Sequence, residues 1–124
     1  MAIPYGTSIV SAMAVSNLKA SLQWFNDVLG FSTAYAVDEA GWAEVNTYLP
    51  GFTIGIQQDP ERAGEQGGSM VTLAVTDIDA ARRELESMGV TFDGPVDELP
   101  GMVRLSTFPD PDGNRFMLAQ SLMG

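Results

Sequence analysis

The sequence predicts an α+β protein made of two tandem βαβββ modules, and three observations support this. A strand pattern followed by a capped amphipathic helix occurs twice. Ala14–Leu18 matches Ala74–Ile78 at a separation of 60 residues, and Thr47-Tyr48 matches Thr107-Phe108 at the same separation. Glycines end both helix patterns, and Gly- and Pro-containing turns separate the strands. Two copies of a module of this length indicate duplication rather than a solenoid.

The first module covers about residues 1–58. Residues 8–15 alternate with no charge on either side, which predicts a strand buried on both faces. Asn17 is a helix N-cap, and an apolar stripe at helical spacing continues from it to Gly30. Three further strands are predicted at residues 31–37, 42–48 and 52–57.

A polar, Gly-rich linker at about residues 59–68 precedes the second module, at about residues 69–124. In that module Asp77 caps the predicted helix and Gly89 ends it. Strands are predicted at residues 70–75, 90–92, 102–108 and 115–119, with a long loop at residues 93–101. The second module thus repeats the element order of the first.

The segment Asp110–Asn114 concentrates turn-forming residues between the last two predicted strands. Proline restricts φ at the corner of such a turn, and we expect Gly113 and Asn114 to adopt the positive φ of a tight reversal. The segment therefore predicts a β-hairpin that sets the register of Met117 on the last strand.

Composition excludes several classes of function. The chain is 45% hydrophobic and 18% charged, and no window approaches 18 uninterrupted apolar residues, so we expect no membrane span. The N-terminus lacks a basic n-region and an apolar h-region, so we expect no signal peptide. Its 16 acidic and 6 basic residues give a net charge of −10, which disfavours nucleic acid and anionic membranes as partners. The absence of cysteine excludes disulfides, and the absence of histidine removes the commonest general base and metal ligand. We expect a cytoplasmic protein.

The ordered motifs resemble those of the vicinal oxygen chelate superfamily, which includes glyoxalase I, extradiol dioxygenases and bleomycin-resistance proteins. The motifs that carry this resemblance are Ala14–Leu18, Trp24–Phe31, Val75–Ile78, Met88–Val90 and Phe108–Asn114. Each motif alone is weak, but the set spans nearly the whole chain in the superfamily's order. The resemblance implies a curved mixed sheet around a cup-like cavity, and a homodimer that pairs modules within or between chains.

In catalytic members of that superfamily, four strand positions supply metal ligands, usually His, Glu or Gln. In this sequence those positions are occupied by Val10, Gly55, Met70 and Met117. Valine and glycine have no donor atom in their side chains, and thioether sulfur suits Cu(I) rather than a hard or borderline divalent ion. The resemblance therefore implies a member that lacks the metal ligands, and we expect no metal, no cofactor and no catalytic residue.

Residues on the same strand faces form a candidate cavity wall that is mostly small and apolar, which suits a flat or apolar ligand held by shape. The candidate ligand-binding residues are Val10, Ala12, Trp42, Glu44, Gly55, Met70, Thr72, Arg104 and Met117. An alternative is that the two methionines fill the cup as core.

Glu44 and Arg104 occupy matching places in the two repeats, 60 residues apart. If both side chains point into the cup, they form a charged pair beside Trp42 that could orient a ligand or act as a weak acid. The alternative is an ion pair that faces solvent.

These observations favour a metal-free protein that binds a small, flat or apolar molecule, cationic molecules included. One alternative is a divalent-metal-dependent lyase, isomerase or dioxygenase with displaced oxygen ligands such as Asp38, Glu39 or Glu44. A third possibility is a module whose dimer surface, rather than its cup, carries the function.

Overall fold

A computed structural model describes residues 7–65 and 70–123 of the chain. The chain divides into two units, Met1–Arg62 and Ala63–Gly124. Each unit contains a four-stranded mixed sheet and a capped helix, which confirms the prediction of an α+β protein with two tandem βαβββ modules. Residues 66–68 of the predicted linker and residues 1–6 lie outside the described part of the chain.

The first module follows the predicted element order closely. Its elements are β1 (Ile9–Val15), α1 (Leu18–Trp24), a π-helical turn (Phe25–Leu29), β2 (Thr33–Val37), a 3-10 turn (Asp38–Ala40), β3 (Trp42–Asn46) and β4 (Phe52–Gln58). The strand order is β1-β4-β3-β2, in which β1 runs parallel to β4 and the other neighbours are antiparallel.

The second module repeats this arrangement. Its elements are β5 (Val71–Ala74), α2 (Ile78–Ser87), β6 (Asp97–Leu99), β7 (Val103–Pro109) and β8 (Arg115–Ser121). The strand order is β5-β8-β7-β6, with β5 parallel to β8. Within the described ranges, neither helix is long and apolar enough to span a membrane.

The two helices begin with the same pair of contacts. Asn17 Oδ1 accepts the Ala20 N–H at 2.9 Å, and Asp77 Oδ1 accepts the Ala80 N–H at 3.0 Å, which confirms both predicted N-caps. In addition, the side-chain oxygens of Gln58 and Gln120 each accept the first helical N–H at 2.8 Å. A glutamine from the last strand of each module thus ties that strand to the start of the helix.

Each core lies between the helix and one face of its sheet. In the first module Val15, Phe25, Ile54 and Ile56 have no exposed surface. In the second module Phe108 and Phe116 stack with ring centroids 5.6 Å apart and planes inclined by 15°. Burial of these side chains supplies most of the free energy that stabilises each module.

The expectation that the first strand is buried on both faces is wrong. Met13 and Val15 are buried, but Val10 is 45% exposed and Ala12 is also exposed. The helix covers only the face that carries Met13 and Val15. Uncharged small residues on the other face gave the appearance of a strand with two buried faces.

The assignment of residues 90–101 is also wrong in part. Val90 and Phe92 are buried through their side chains without belonging to a strand, and the predicted loop contains β6. Short apolar segments do not distinguish a strand from a packed connection. The β6 strand escaped prediction because it is a three-residue, exposed and largely acidic edge strand that pairs only with β7.

The predicted hairpin at Asp110–Asn114 is confirmed, and a buried carboxylate organises it. Asp110 is 4% exposed, and its Oδ1 accepts the N–H groups of Asp112 at 2.9 Å and Asn114 at 2.8 Å. Its Oδ2 accepts Asn114 Nδ2 at 3.0 Å. Burial raises the pKa of the Asp110 carboxyl, while the hydrogen bonds from Asn114 and Asp112 act in the opposite direction.

The backbone of this turn differs from expectation at one residue. Gly113 has φ of +89°, as predicted, but no described non-glycine residue has positive φ, so Asn114 does not. Asn114 is instead fully buried. The resulting register pairs Thr107 with Met117 and Phe108 with Phe116.

We predict that Asp110→Ala lowers the free energy of unfolding by roughly 2–4 kcal/mol, because it leaves buried N–H donors of the turn without their acceptor. Asp38→Ala, which removes an exposed carboxylate from the 3-10 turn, is the matched control and should change it by less than about 0.5 kcal/mol. Urea denaturation of the two variants measures the difference. Equal effects would contradict the role assigned to Asp110.

Candidate functional site

The face of the first sheet opposite α1 carries the predicted site residues of this module: Val10, Ala12, Trp42, Glu44 and Gly55. Gln58, which binds the start of α1, marks the helix-covered face, and Gly55 lies on the other face because side chains alternate along β4. The strand register aligns Ala12, Gly55, Glu44 and Tyr35 in one row across the sheet. We call this surface the open face of the first module.

The indole of Trp42 lies across the backbone of Gly55. A Cβ atom at position 55 would be 2.2 Å from Trp42 Cη2 and 2.7 Å from Cζ2, and 3.1 Å from Val10 Cγ1. Both indole distances are too short for any real Cβ contact. Glycine at position 55 is therefore what allows the indole to lie against the sheet, and the Val10 side chain lies close to the same position.

A chain of hydrogen bonds connects Trp42 to Glu44. Trp42 Nε1 donates to the Tyr35 hydroxyl at 3.0 Å, and that hydroxyl donates to Glu44 Oε2. The Thr53 hydroxyl donates to Glu44 Oε1 at 2.8 Å. Both oxygens of the Glu44 carboxylate are thus held by hydroxyl groups of neighbouring strands.

This arrangement makes Glu44 an anion at neutral pH. The hydrogen bonds from Tyr35 and then Thr53 lower the pKa of the Glu44 carboxyl, because both stabilise its charged form. The same contact with Glu44 raises the pKa of Tyr35. The lowered pKa of Glu44 disfavours the role of a weak acid that the sequence offered as one alternative for this residue.

The candidate residues of the second module do not all share one face. Thr72 and Met117 are paired across β5 and β8, and Met70, just before β5, is 43% exposed. Arg104 pairs with Gln120, whose side chain binds the start of α2, so Arg104 lies on the helix-covered face. The prediction that Arg104 shares a wall with Met117 is therefore not supported.

Arg104 binds acidic residues of its own module. Its Nη1 donates to Asp79 Oδ2 of α2 at 2.9 Å, and its Nε lies 3.3 Å from Glu98 Oε1 of β6. These contacts raise the pKa of Arg104, with the hydrogen bond to Asp79 as the largest cause. Glu44 is held by Tyr35 and Thr53, so each member of the proposed charged pair has its partners within its own module.

A pocket of about 270 Å³ lies beside Met117 in the second module. Pro95 and Asp97 line it from one side, and Leu105 and Thr107 line it from β7. The adjoining loop is anchored by Asp93, whose carboxylate accepts Arg115 Nε at 3.1 Å and the Thr107 hydroxyl at 3.0 Å. No sequence motif predicts this pocket, because its wall is formed in part by an irregular loop.

The residues present do not fit the metal that the superfamily resemblance implies. Val10 and Gly55 provide no donor and lie next to the Trp42 indole, and Met70 and Met117 offer only thioether sulfur. In residues 7–65 and 70–123, no group of three or more acidic side chains is arranged to hold a metal ion. The donor set thus disagrees with the chelate chemistry of catalytic members.

We predict that the effect of Gly55→Ala on stability depends on the Trp42 indole. In the wild-type background the new methyl displaces Trp42 and should lower the free energy of unfolding by about 1–3 kcal/mol. In a Trp42→Ala background the same change should be neutral or stabilising by up to about 1 kcal/mol, because alanine has less conformational entropy in the unfolded chain. A double-mutant cycle by chemical denaturation measures this dependence. Additive effects would contradict the assigned contact.

We also predict how the Tyr35–Glu44 contact depends on pH. The pKa of Glu44 is lowered in the folded state. Its contribution to the free energy of unfolding is therefore present at pH values above its unfolded-state pKa and is lost as pH falls through its folded-state pKa. The pKa of Tyr35 is raised in the folded state. Its contribution to the free energy of unfolding is therefore present at pH values below its unfolded-state pKa and is lost as pH rises through its folded-state pKa.

The difference in unfolding free energy between wild type and Tyr35→Phe should therefore be constant between about pH 5 and pH 9 and shrink on either side. Chemical denaturation across this range measures it. Tyr48→Phe removes a hydroxyl that does not belong to the chain of hydrogen bonds from Trp42 to Glu44, and it serves as the control. A difference that varies in the same way for both variants would argue against the contact.

Comparisons with known proteins agree with this fold. The model of the Glyoxalase/Bleomycin resistance protein/Dioxygenase superfamily matches residues 8–118. A solved member of that superfamily from Sphaerobacter thermophilus DSM 20745 is 23% identical with a TM-score of 0.79, covering 96% of this chain and 100% of its own. A search of curated protein sequences finds no match.

Two further structures show the range of proteins with this fold. TnmS3, an antibiotic binding protein from Streptomyces sp. CB03234, is 22% identical with a TM-score of 0.78, covering 97% of this chain and 99% of its own. Lactoylglutathione lyase from Agrobacterium tumefaciens is 13% identical with a TM-score of 0.74, covering 98% of each chain. At these identities the likeness shows the fold alone. Because the superfamily model matches nearly the whole sequence, this chain belongs to the Glyoxalase/Bleomycin resistance protein/Dioxygenase superfamily.

Proposed function

We propose that this protein binds a small, flat or apolar molecule on the open face of the first module, and that it does so without a metal. The observation that carries this proposal is the Trp42 indole, which lies across Gly55 where the chain has no metal donor. An indole fixed on a strand provides a broad apolar surface for stacking, which is typical of sites that hold aromatic ligands.

The surroundings of the indole support a flat ligand. Val10 and Ala12 belong to the adjoining strand β1, and both are exposed. Their small side chains leave the Trp42 surface accessible along the row of Ala12 and Gly55. The hydrogen bond from Trp42 Nε1 to Tyr35 restricts the rotation of the ring, so little side-chain entropy remains to be lost on binding.

The known relatives are consistent with this proposal but do not carry it. TnmS3 is an antibiotic binding protein, and the likeness of this chain to it, at 22% identity, concerns the fold. The choice of a ligand-binding role rests on the side chains of the open face. A homodimer and a cytoplasmic location are further parts of the proposal; sedimentation velocity tests the dimer.

The metal-dependent alternative has less support from the side chains. Glu44 uses both carboxylate oxygens to accept hydroxyl groups of Tyr35 and Thr53. Asp38 and Glu39 lie in the 3-10 turn, and no cluster of ligands that includes them occurs among the described residues. Elemental analysis of the purified protein, before and after EDTA treatment, distinguishes the two: bound divalent metal with a stability that falls on chelation would support the alternative.

We predict that Trp42→Ala weakens the binding of planar aromatic probes, from quinoline to acridine, by about tenfold or more, about 1.4 kcal/mol. Calorimetric titration measures the affinities of wild type and Trp42→Ala. Fluorescence titration of Trp24→Phe, in which Trp42 is the remaining tryptophan of the two in the chain, reports whether the probe binds at this indole. EDTA should leave the affinities unchanged.

Arg104→Gln is the control for this experiment, because Arg104 lies on the helix-covered face and should not affect binding. A comparable loss of affinity in both variants would indicate an indirect effect on folding. If no probe from the series perturbs Trp42 or shifts the melting temperature, the proposal is wrong.

A further inference from the structure

Trp42, Tyr35, Thr53 and Glu44 form a hydrogen-bonded group that we call the Trp42 cluster. Each polar hydrogen of its indole and hydroxyl groups is donated to another member of the cluster. The N–H of Trp42 is donated to Tyr35, the hydroxyl of Tyr35 to Glu44, and the hydroxyl of Thr53 to the other oxygen of Glu44. Indole has one N–H, and each hydroxyl has one O–H. These three side chains therefore have no donor left for a ligand, and what the cluster presents is two π faces and a carboxylate.

The amide of Gln57, a polar neighbour on the same face, also donates its hydrogen bonds within the first module. Gln57, which pairs with Trp42 across β3 and β4, donates its Nε2 to the carbonyls of Ala40 and Gly41, each at 3.1 Å. An anionic or carbonyl-rich ligand needs donors to replace its lost hydration. The hydroxyls of Tyr35 and Thr53 and the amide of Gln57 already donate to protein acceptors. An anionic or carbonyl-rich ligand would therefore be poorly matched to this surface.

Among residues 7–65 and 70–123, no basic side chain lies within ion-pair distance of Glu44. Its hydrogen-bond partners are the neutral hydroxyls of Tyr35 and Thr53. The chain as a whole has 16 acidic residues against 6 basic ones. A fixed carboxylate next to electron-rich aromatic rings attracts cations by two additive routes, direct charge attraction and cation–π contact.

We propose that the ligand of this protein carries an organic cation, an ammonium, guanidinium or quaternary aromatic nitrogen, with Glu44 as its counter-ion and Trp42 and Tyr35 as its aromatic contacts. This inference rests on the proposed binding function and specifies the ligand's charge. The positive charge at this surface is then supplied by the ligand rather than by a bound metal. Tyr35 is 46% exposed, so its ring is accessible for such contact.

Three bicyclic probes of similar size and different charge test the inference: N-methylquinolinium (cation), 4-methylquinoline (neutral at pH 7.5) and quinoline-4-carboxylate (anion). Calorimetric titration gives each affinity, and the indole N–H resonance of Trp42 reports where the probe binds. We expect the cation to bind about tenfold more tightly than the neutral probe, about 1.4 kcal/mol, and the anion to bind least. Added salt should reduce this preference.

Glu44→Gln should remove the preference for the cation, so that the cation and the neutral probe bind with similar affinity. Glu39→Gln is the matched control, because it makes the same chemical and charge change at an exposed residue of the 3-10 turn. It should leave the preference unchanged. Circular dichroism and the melting temperature verify that both variants are folded.

The outcomes separate the two proposals. Equal affinities for cation and neutral probe in the wild type, or a preference that survives in Glu44→Gln, overturn the cation inference while the binding function stands. A preference lost equally in Glu39→Gln attributes it to net charge and also overturns the role of Glu44. If no probe shifts the Trp42 resonance, the binding function itself fails. Should Glu44→Gln not fold, Tyr35→Phe keeps the carboxylate but loosens it, and should weaken the cation's binding more than the neutral probe's.

Discussion

One helix covers one face of a four-stranded sheet, and each module of this protein has one such helix packed on its sheet. Because side chains alternate along a strand, this constraint divides every strand into residues of the core and residues of the open face. Ile54 and Ile56 have no exposed surface, whereas Gly55 between them carries the Trp42 indole. The same alternation places Arg104 beside α2 and Met117 on the other face.

The chemistry of the open face follows from a single small residue. With glycine at position 55, the indole of Trp42 reaches across β4 and comes close to Val10. That position of the ring brings its N–H to Tyr35, and the Tyr35 hydroxyl then holds Glu44. A surface that offers π faces and an ionised carboxylate therefore occupies a place where catalytic relatives of this fold would need metal donors.

Much of the fold could be predicted because its signals are local. Helix caps, helix-ending glycines and the Asp110–Asn114 turn depend on a few neighbouring residues, so their residue types can be recognised in the sequence. The failures have the opposite character. The β6 strand is an exposed edge strand that pairs with β7, and Val10 and Ala12 of β1 are exposed because α1 covers the opposite face of their strand. Neither property leaves a pattern in its own segment.

For the candidate site, the residue types alone establish which donor atoms are present: valine, glycine and two methionines at the four positions that the superfamily resemblance aligns with metal ligands, and no histidine or cysteine in the sequence. Residue types suffice for that conclusion because a missing donor atom is missing in any conformation. Which of the candidate polar residues lie together becomes visible in the folded chain and not before. Glu44 and Arg104 occupy equivalent places in the repeats, yet Glu44 joins Tyr35 and Trp42, whereas Arg104 joins Asp79 and Glu98. Strand parity and cross-strand partners determine that outcome, and both are set by packing between segments distant in the chain.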